Sequence, residues 1–173
     1  MNVTIISFGK FHSLDLAREL INKKINVKIY CSYPYFIAKK YGIKKSSYRS
    51  FFILFLLSRF TNNQFDFFFK KIFCFLISFF DLKEQTFFIV WSSMPNGFLK
   101  FLKTKYKNSK IILERGSSHV KFQNDILSKE YTDFGLNFEI TNKEIKNELE
   151  NYEIADSISI PSVFAFDTFV RYD

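Results

Sequence analysis

Five short β-type runs alternate with longer amphipathic stretches along this chain, and the runs read as apolar throughout rather than at every second position. They fall at Asn2–Ser7, Asn26–Cys31, Thr86–Trp91, Lys110–Glu114 and Ser157–Ile160. A strand with no polar face is buried on both sides, which points to a parallel sheet covered by helices on each face. Helices are predicted between the strands at Ser13–Lys24, Ser47–Ser58, Asp66–Phe80, Asn96–Tyr106, Val120–Asp133 and Thr141–Tyr152. In the first, Leu14, Ala17, Leu20 and Ile21 form the stripe to be buried and Ser13 is the expected N-cap. Thr141, followed three positions later by Glu144, has the capping-box pattern. The expected fold is α/β, a Rossmann-like parallel sheet with helices on both faces. At 173 residues it fills a single domain, 1–173.

Several function classes are excluded at this level. With 47% hydrophobic and 24% charged residues the chain has enough apolar side chains for a core, so general disorder is ruled out. The two cysteines, Cys31 and Cys74, are far apart and each sits among apolar neighbours, which suits buried reduced thiols and a cytoplasmic setting. Two cysteines and two histidines make no ligand cluster, so no metal is expected. Met1 leads straight into Val3-Thr4-Ile5-Ile6 with no basic segment before it, so no signal peptide is expected. Residues 51–80 are rich in Phe, yet Arg59, Asp66, Lys70 and Lys71 and the polar break Asn62-Asn63-Gln64 interrupt them, which argues against a spanning helix. Two readings stay open for that stretch: core packing, and a basic amphipathic contact with the inner face of a membrane. The excess of 25 Lys and Arg over 17 Asp and Glu, a net +8, favours an anionic partner. Nucleic acid is not expected, because the basic residues are scattered and no helix-turn-helix or RNP-type segment is present.

In sheets of this kind ligands bind beyond the carboxyl ends of the strands. Three loops there carry polar chemistry. Ser7-Phe8-Gly9-Lys10-Phe11-His12-Ser13 offers one glycine for close backbone approach, and Lys10 and His12 as donors, but matches neither GxGxxG nor a P-loop. Glu114-Arg115-Gly116-Ser117-Ser118-His119 packs charge, hydroxyls and an imidazole into six residues at the end of a buried strand. Such groups are expected to face a cleft, with Glu114 and Arg115 partly accessible from it and His12 and His119 opening onto the same edge. The structural alternative is a Glu114–Arg115 ion pair with His119 capping the next helix. Trp91-Ser92-Ser93-Met94-Pro95-Asn96-Gly97 reads as a strand end running into a helix start. No GxSxG elbow exists, so a serine hydrolase is excluded.

These loops resemble a known family. Gly9-Lys10-Phe11-His12-Ser13-Leu14-Asp15-Leu16-Ala17-Arg18-Glu19-Leu20 is similar to the opening of the N-terminal, acceptor-side domain of family 4 retaining glycosyltransferases of GT-B fold. Glu114–His119 resembles the segment that carries that domain's active-site histidine. The tail from Glu144 through Phe169, with Tyr152-Glu153-Ile154-Ala155-Asp156-Ser157-Ile158-Ser159-Ile160-Pro161-Ser162 inside it, resembles the stretch that closes the domain. The resemblance implies transfer of a sugar from a nucleotide-sugar to a glycan or lipid-linked acceptor, with no cofactor. His119 would be catalytic, and Gly9, Lys10, His12, Arg115, Gly116, Ser117 and Ser118 would bind substrate. It also implies a second, nucleotide-sugar-binding domain carrying a paired-glutamate E-x7-E motif. No two glutamates here stand eight positions apart, and Asp173 falls where the crossover to that domain is expected. The expectation is therefore one half of a transferase, inactive alone and inclined to a partner domain or self-association. A non-catalytic assembly subunit and a flavodoxin-like anion-binding module remain as alternatives.

Overall fold

The computed structural model describes residues 1–61, 65–82, 86–137 and 140–172. The polar break at Asn62-Asn63-Gln64 and the terminal Asp173 lie outside the described residues. The elements run β1 (Asn2–Ser7), α1 (Ser13–Asn22), β2 (Asn26–Cys31), α2 (Tyr35–Lys39), β3 (Tyr48–Ser50), α3 (Phe52–Phe60), α4 (Asp66–Ser78), β4 (Phe87–Trp91), α5 (Asn96–Lys105), β5 (Lys110–Glu114), α6 (Val120–Asp133), α7 (Asn142–Ile154), β6 (Ser157–Ser159) and α8 (Val163–Tyr172). All six strands are parallel, in the order β3-β2-β1-β4-β5-β6. This is the doubly wound Rossmann arrangement, and it differs from the flavodoxin-like order 2-1-3-4-5.

Both faces of the sheet are buried, as the continuous apolar runs require. Val3, Ile5, Val27, Ile29, Ile89 and Trp91 form one core with Leu14 and Ala17 of α1 and Ala38 of α2. Ile6, Phe88, Val90, Ile111 and Leu113 point the other way, into a second core with Phe73, Cys74 and Ile77 of α4 and Phe98, Leu99 and Leu102 of α5. Residues adjacent along each strand thus serve opposite layers. Cys31 and Cys74 are both buried and unpaired.

Three expectations are corrected. The helix predicted over 47–58 begins instead with a 3₁₀ turn at Lys45–Ser47 and the edge strand β3. Tyr48 is buried there, its hydroxyl donates to the Tyr33 carbonyl at 2.7 Å, and the Phe51 amide donates to the Cys31 carbonyl at 2.9 Å. The open edge of β2 therefore takes this segment before α3 can start. Helices α2 and α8 were not anticipated at all. At α1 the cap position is His12, and the Ser13 hydroxyl turns back to donate to the Lys10 carbonyl at 2.5 Å. The box at Thr141 forms as expected, with the Glu144 amide donating to Thr141 Oγ1 at 3.3 Å and the Thr141 amide to Glu144 Oε2 at 3.1 Å. No helix of the described residues is long and apolar enough to cross a membrane.

Asp156 fastens the last strand. Its Oδ2 accepts from the Ile111 amide at 2.9 Å, and its Oδ1 lies 2.7 Å from Lys103 Nζ and 3.2 Å from Lys110 Nζ. Partial burial pushes its carboxyl up, but the Ile111 amide and the two lysines outweigh that and bring it down to about 2. A depressed carboxylate stabilises the fold above its unfolded value, near pH 4, and that contribution is lost as pH falls through the folded one. Asp156→Asn is therefore expected to cost about 0.5–1.5 kcal/mol at neutral pH. It should also flatten the loss of stability between about pH 4 and pH 2, read from urea unfolding at a series of pH values.

Candidate functional site

Strand order reverses between β1 and β4, and the crevice of a doubly wound sheet opens beyond the carboxyl ends of those two strands. Two loops enter it, Phe8–His12 after β1 and Ser92–Pro95 after β4. Each contains a non-glycine residue with positive φ, Phe11 at 41° and Ser93 at 61°, and Gly9 sits at 141°. Backbone in these regions persists only where its surroundings hold it. Here the Gly9 carbonyl accepts from the Ser7 hydroxyl at 2.7 Å and the Cys31 thiol at 3.3 Å, which ties the β1 loop to the ends of β1 and β2.

The loop places His12 over the sheet edge with 54% of its side chain exposed. Its Nε2 lies 3.0 Å from Oε1 of Glu114, the last residue of β5. Both adjoin Trp91, the last residue of β4 and the register partner of Glu114. The Trp91 ring carries Phe11 stacked at 6.4 Å and His12 tilted at 5.0 Å. An exposed imidazole is thus backed by a nearly buried carboxylate and floored by an indole. Beside this group a cavity of about 460 Å³ is bounded by Gly9, Lys10, Phe11, Tyr33 and Arg59. Lys10 lies over the Tyr41 ring at 5.4 Å, and its hydrogen bond to Tyr41 raises its pKa above the usual lysine value.

The β5 loop behaves differently from expectation. Arg115 is only 8% exposed and does not pair with Glu114. Its guanidinium donates to the Ser118 carbonyl at 3.1 Å, to Gln123 Oε1 at 2.7 Å and to Glu148 Oε1 at 3.4 Å. Glu148, on α7, also accepts from the Ser93 amide at 2.8 Å. Burial pushes the Glu148 carboxyl up, while Arg115 and that amide pull it back. Both residues are nearly buried, Arg115 at the wall of a cavity of about 230 Å³, and the expected alternative of a mutual ion pair is replaced by separate partners.

His119 is 1% exposed. Its Nδ1 accepts from the Lys121 amide at 3.3 Å, making it the N-cap of α6, and its own amide donates to Thr168 Oγ1 at 2.9 Å. The ring stacks on Tyr172 at 5.3 Å and meets Phe169 and Tyr152 edge-on or tilted at 5.0 and 5.2 Å. Both histidines follow strand ends, but only His12 opens to solvent. Gly116 is exposed and Ser117 and Ser118 are half-buried. Gly9, Lys10 and His12 are thus brought together at the switch point, while Arg115 and His119 turn inward.

Sequence reasoning missed the roles of Glu114, Trp91 and Glu148. For the first two a signal existed, since both end predicted strands that follow each other in the chain. Nothing in the sequence pairs Glu148 with Arg115. No protein-family model, curated protein or solved structure matches the chain.

Two substitutions test this geometry. A Cβ on Gly9 would sit 2.6 Å from Phe11 Cε2, at a φ that L side chains rarely adopt, so Gly9→Ala should cost about 1–3 kcal/mol in urea unfolding. Arg115→Ala leaves the Glu148 carboxyl buried without its cation and is expected to cost about 3–5 kcal/mol by the same measurement.

Proposed function

We propose that this chain is the acceptor-side wall of a sugar-transfer site, the N-terminal half of a two-domain glycosyltransferase like those of family 4. The observation that supports it is the His12–Glu114 pair at the switch point, 3.0 Å apart, with the imidazole exposed and the carboxylate nearly buried. A carboxylate only accepts, so Nε2 carries its hydrogen toward Glu114, and in the neutral ring the lone pair is then on Nδ1. A sugar or lipid-linked hydroxyl resting over Trp91 can give its proton to that nitrogen as its oxygen bonds to the anomeric carbon. The bond from that carbon to the nucleoside diphosphate then breaks, and the negative charge leaves with the diphosphate. In this reading the proton passes to His12, while the buried His119 keeps the β5 loop in shape. Lys10 adds positive potential beside the crevice for the departing phosphates. Gly9 lets the backbone approach, and Gly116, Ser117 and Ser118 border the acceptor.

The donor would be gripped by a second domain, as the resemblance implies. Holding donor and acceptor together is worth about 7–11 kcal/mol in favourable cases and needs both walls. The isolated chain is therefore expected to bind acceptors without transferring sugar. The flavodoxin-like alternative is disfavoured by the strand order.

The test is titration of ¹⁵N-labelled chain with simple glycosides and with nucleotide-sugars. Amides of Phe8–His12 and Trp91–Ser93 should shift with acceptor glycosides, and His12→Ala should weaken that binding about tenfold through one lost hydrogen bond. Glu114→Gln should weaken it less. Glycosides that leave these amides unmoved, or affinity indifferent to His12→Ala, would overturn the reading.

A further inference from the structure

Helices α3 and α4 connect β3 to β4, and both are apolar on the side that faces away from the sheet. On α3 the outward stripe is Ile53, Leu56, Leu57 and Phe60, spaced i, i+3, i+4, i+7, and Phe60 is 81% exposed. The buried residue of this helix is a polar one, Ser58, whose hydroxyl donates to Asp66 Oδ1 of α4 at 2.9 Å. Leu54 of the same helix packs against the core, so α3 is apolar on its inner side as well as its outer one. On α4 the inward face is Phe73, Cys74 and Ile77, and the outward one is Phe68, Phe75 and Phe79, with Phe79 72% exposed. A helix apolar all round is at home only when both sides are covered, and a contiguous apolar surface of this kind marks an interaction site.

The charges on these helices say what covers them. Arg59 lies over the Phe55 ring at 5.3 Å and Lys71 over the Phe67 ring at 5.2 Å, so each cation sits over a half-buried aromatic ring at the border of the outward face. Asp66, the one carboxylate within α3 and α4, is neutralised by Lys70 at 2.8 Å. Next to Phe75 the surface opens into a cavity of about 540 Å³, whose lining joins aromatic rings to Lys71, Lys143 and Lys146 and to Glu150, a carboxylate paired with Lys100 at 2.8 Å. A two-fold pairing of this face with that of a second copy would bring like charges, Arg59 and Lys71, into one interface. A layer with apolar depth and negative charge at its surface matches both features.

We propose that α3 and α4 dock this protein onto the surface of a bilayer bearing anionic lipid headgroups, with the outward phenylalanines among the acyl chains and Arg59 and Lys71 at the phosphates. The proposal does not rest on the sugar-transfer reading, because it uses neither His12 nor Glu114.

The test is co-sedimentation of the full chain with phosphatidylcholine vesicles, with and without a quarter of phosphatidylglycerol. The chain should sediment with the anionic vesicles, and less so as salt is raised. Arg59→Gln and Lys71→Gln should each weaken partitioning about fivefold. Phe75→Ser combined with Phe79→Ser should weaken it about tenfold or more, with the circular dichroism spectrum unchanged because both side chains are exposed. A folded chain that ignores anionic vesicles overturns the proposal, as does binding unaffected by the paired Phe substitutions. So does a dimer, seen by light scattering, that those substitutions dissolve while vesicles bind nothing.

Discussion

Three buried polar side chains of α7 hold the carboxyl edge of the sheet together. Asn147 and Asn151 both donate to the Met94 carbonyl, at 2.9 and 2.8 Å, and Asn147 accepts from the Asn96 amide at 2.9 Å. Glu148 takes the Ser93 amide on one side and the Arg115 guanidinium on the other. Backbone groups at the end of β4 would otherwise be buried without partners, at a cost of about 1–3 kcal/mol each. The turn at Ser93, the start of α5 and the inward course of the β5 loop all depend on this one helix face. It also explains why α7 is buried along asparagines and a glutamate rather than along leucines.

The layering was legible because it rests on periodicity. A strand buried on both faces has no polar positions to confuse the reading, and all five expected strands start and end within a residue of those observed, with Asn2–Ser7, Asn26–Cys31 and Lys110–Glu114 identical. β3 escaped because Tyr48-Arg49-Ser50 is too short to show a period and sits against aromatic residues that read as helix. Its strand character comes from pairing with β2, a tertiary effect. α8 was hidden behind Pro161 and Ser162, where the tail read as the end of a motif.

The site was legible by residue type and not by partner. Glu114 and Arg115 are neighbours in sequence, which suggested a pair, but adjacent residues leaving a strand point to opposite sides of the sheet. Glu114 therefore meets His12, 102 positions away, and Arg115 meets Glu148, 33 positions away. His119 shows the same limit. Its chemistry suits catalysis, yet capping α6 and packing among Tyr152, Phe169 and Tyr172 consume it. The abundant phenylalanine divides in space between core positions such as Phe73 and Phe88 and the outward faces of α3 and α4.

The topology also bears on how the molecule forms. β1 pairs with β2 across 24 positions and with β4 across 84, as the Asn2–Asn26 and Asn2–Thr86 contacts show. Closing the longer loop costs about 1 kcal/mol more chain entropy than closing the shorter one. The β1-α1-β2 unit is thus the cheaper one to assemble, and the central seam of the sheet waits until the aromatic segment between β3 and β4 has collapsed onto it. Contacts of such high sequence separation slow folding. The crevice lies on that seam, so its assembly depends on the costlier closure, and until that closure is made the phenylalanines of α3 and α4 have no sheet to pack on.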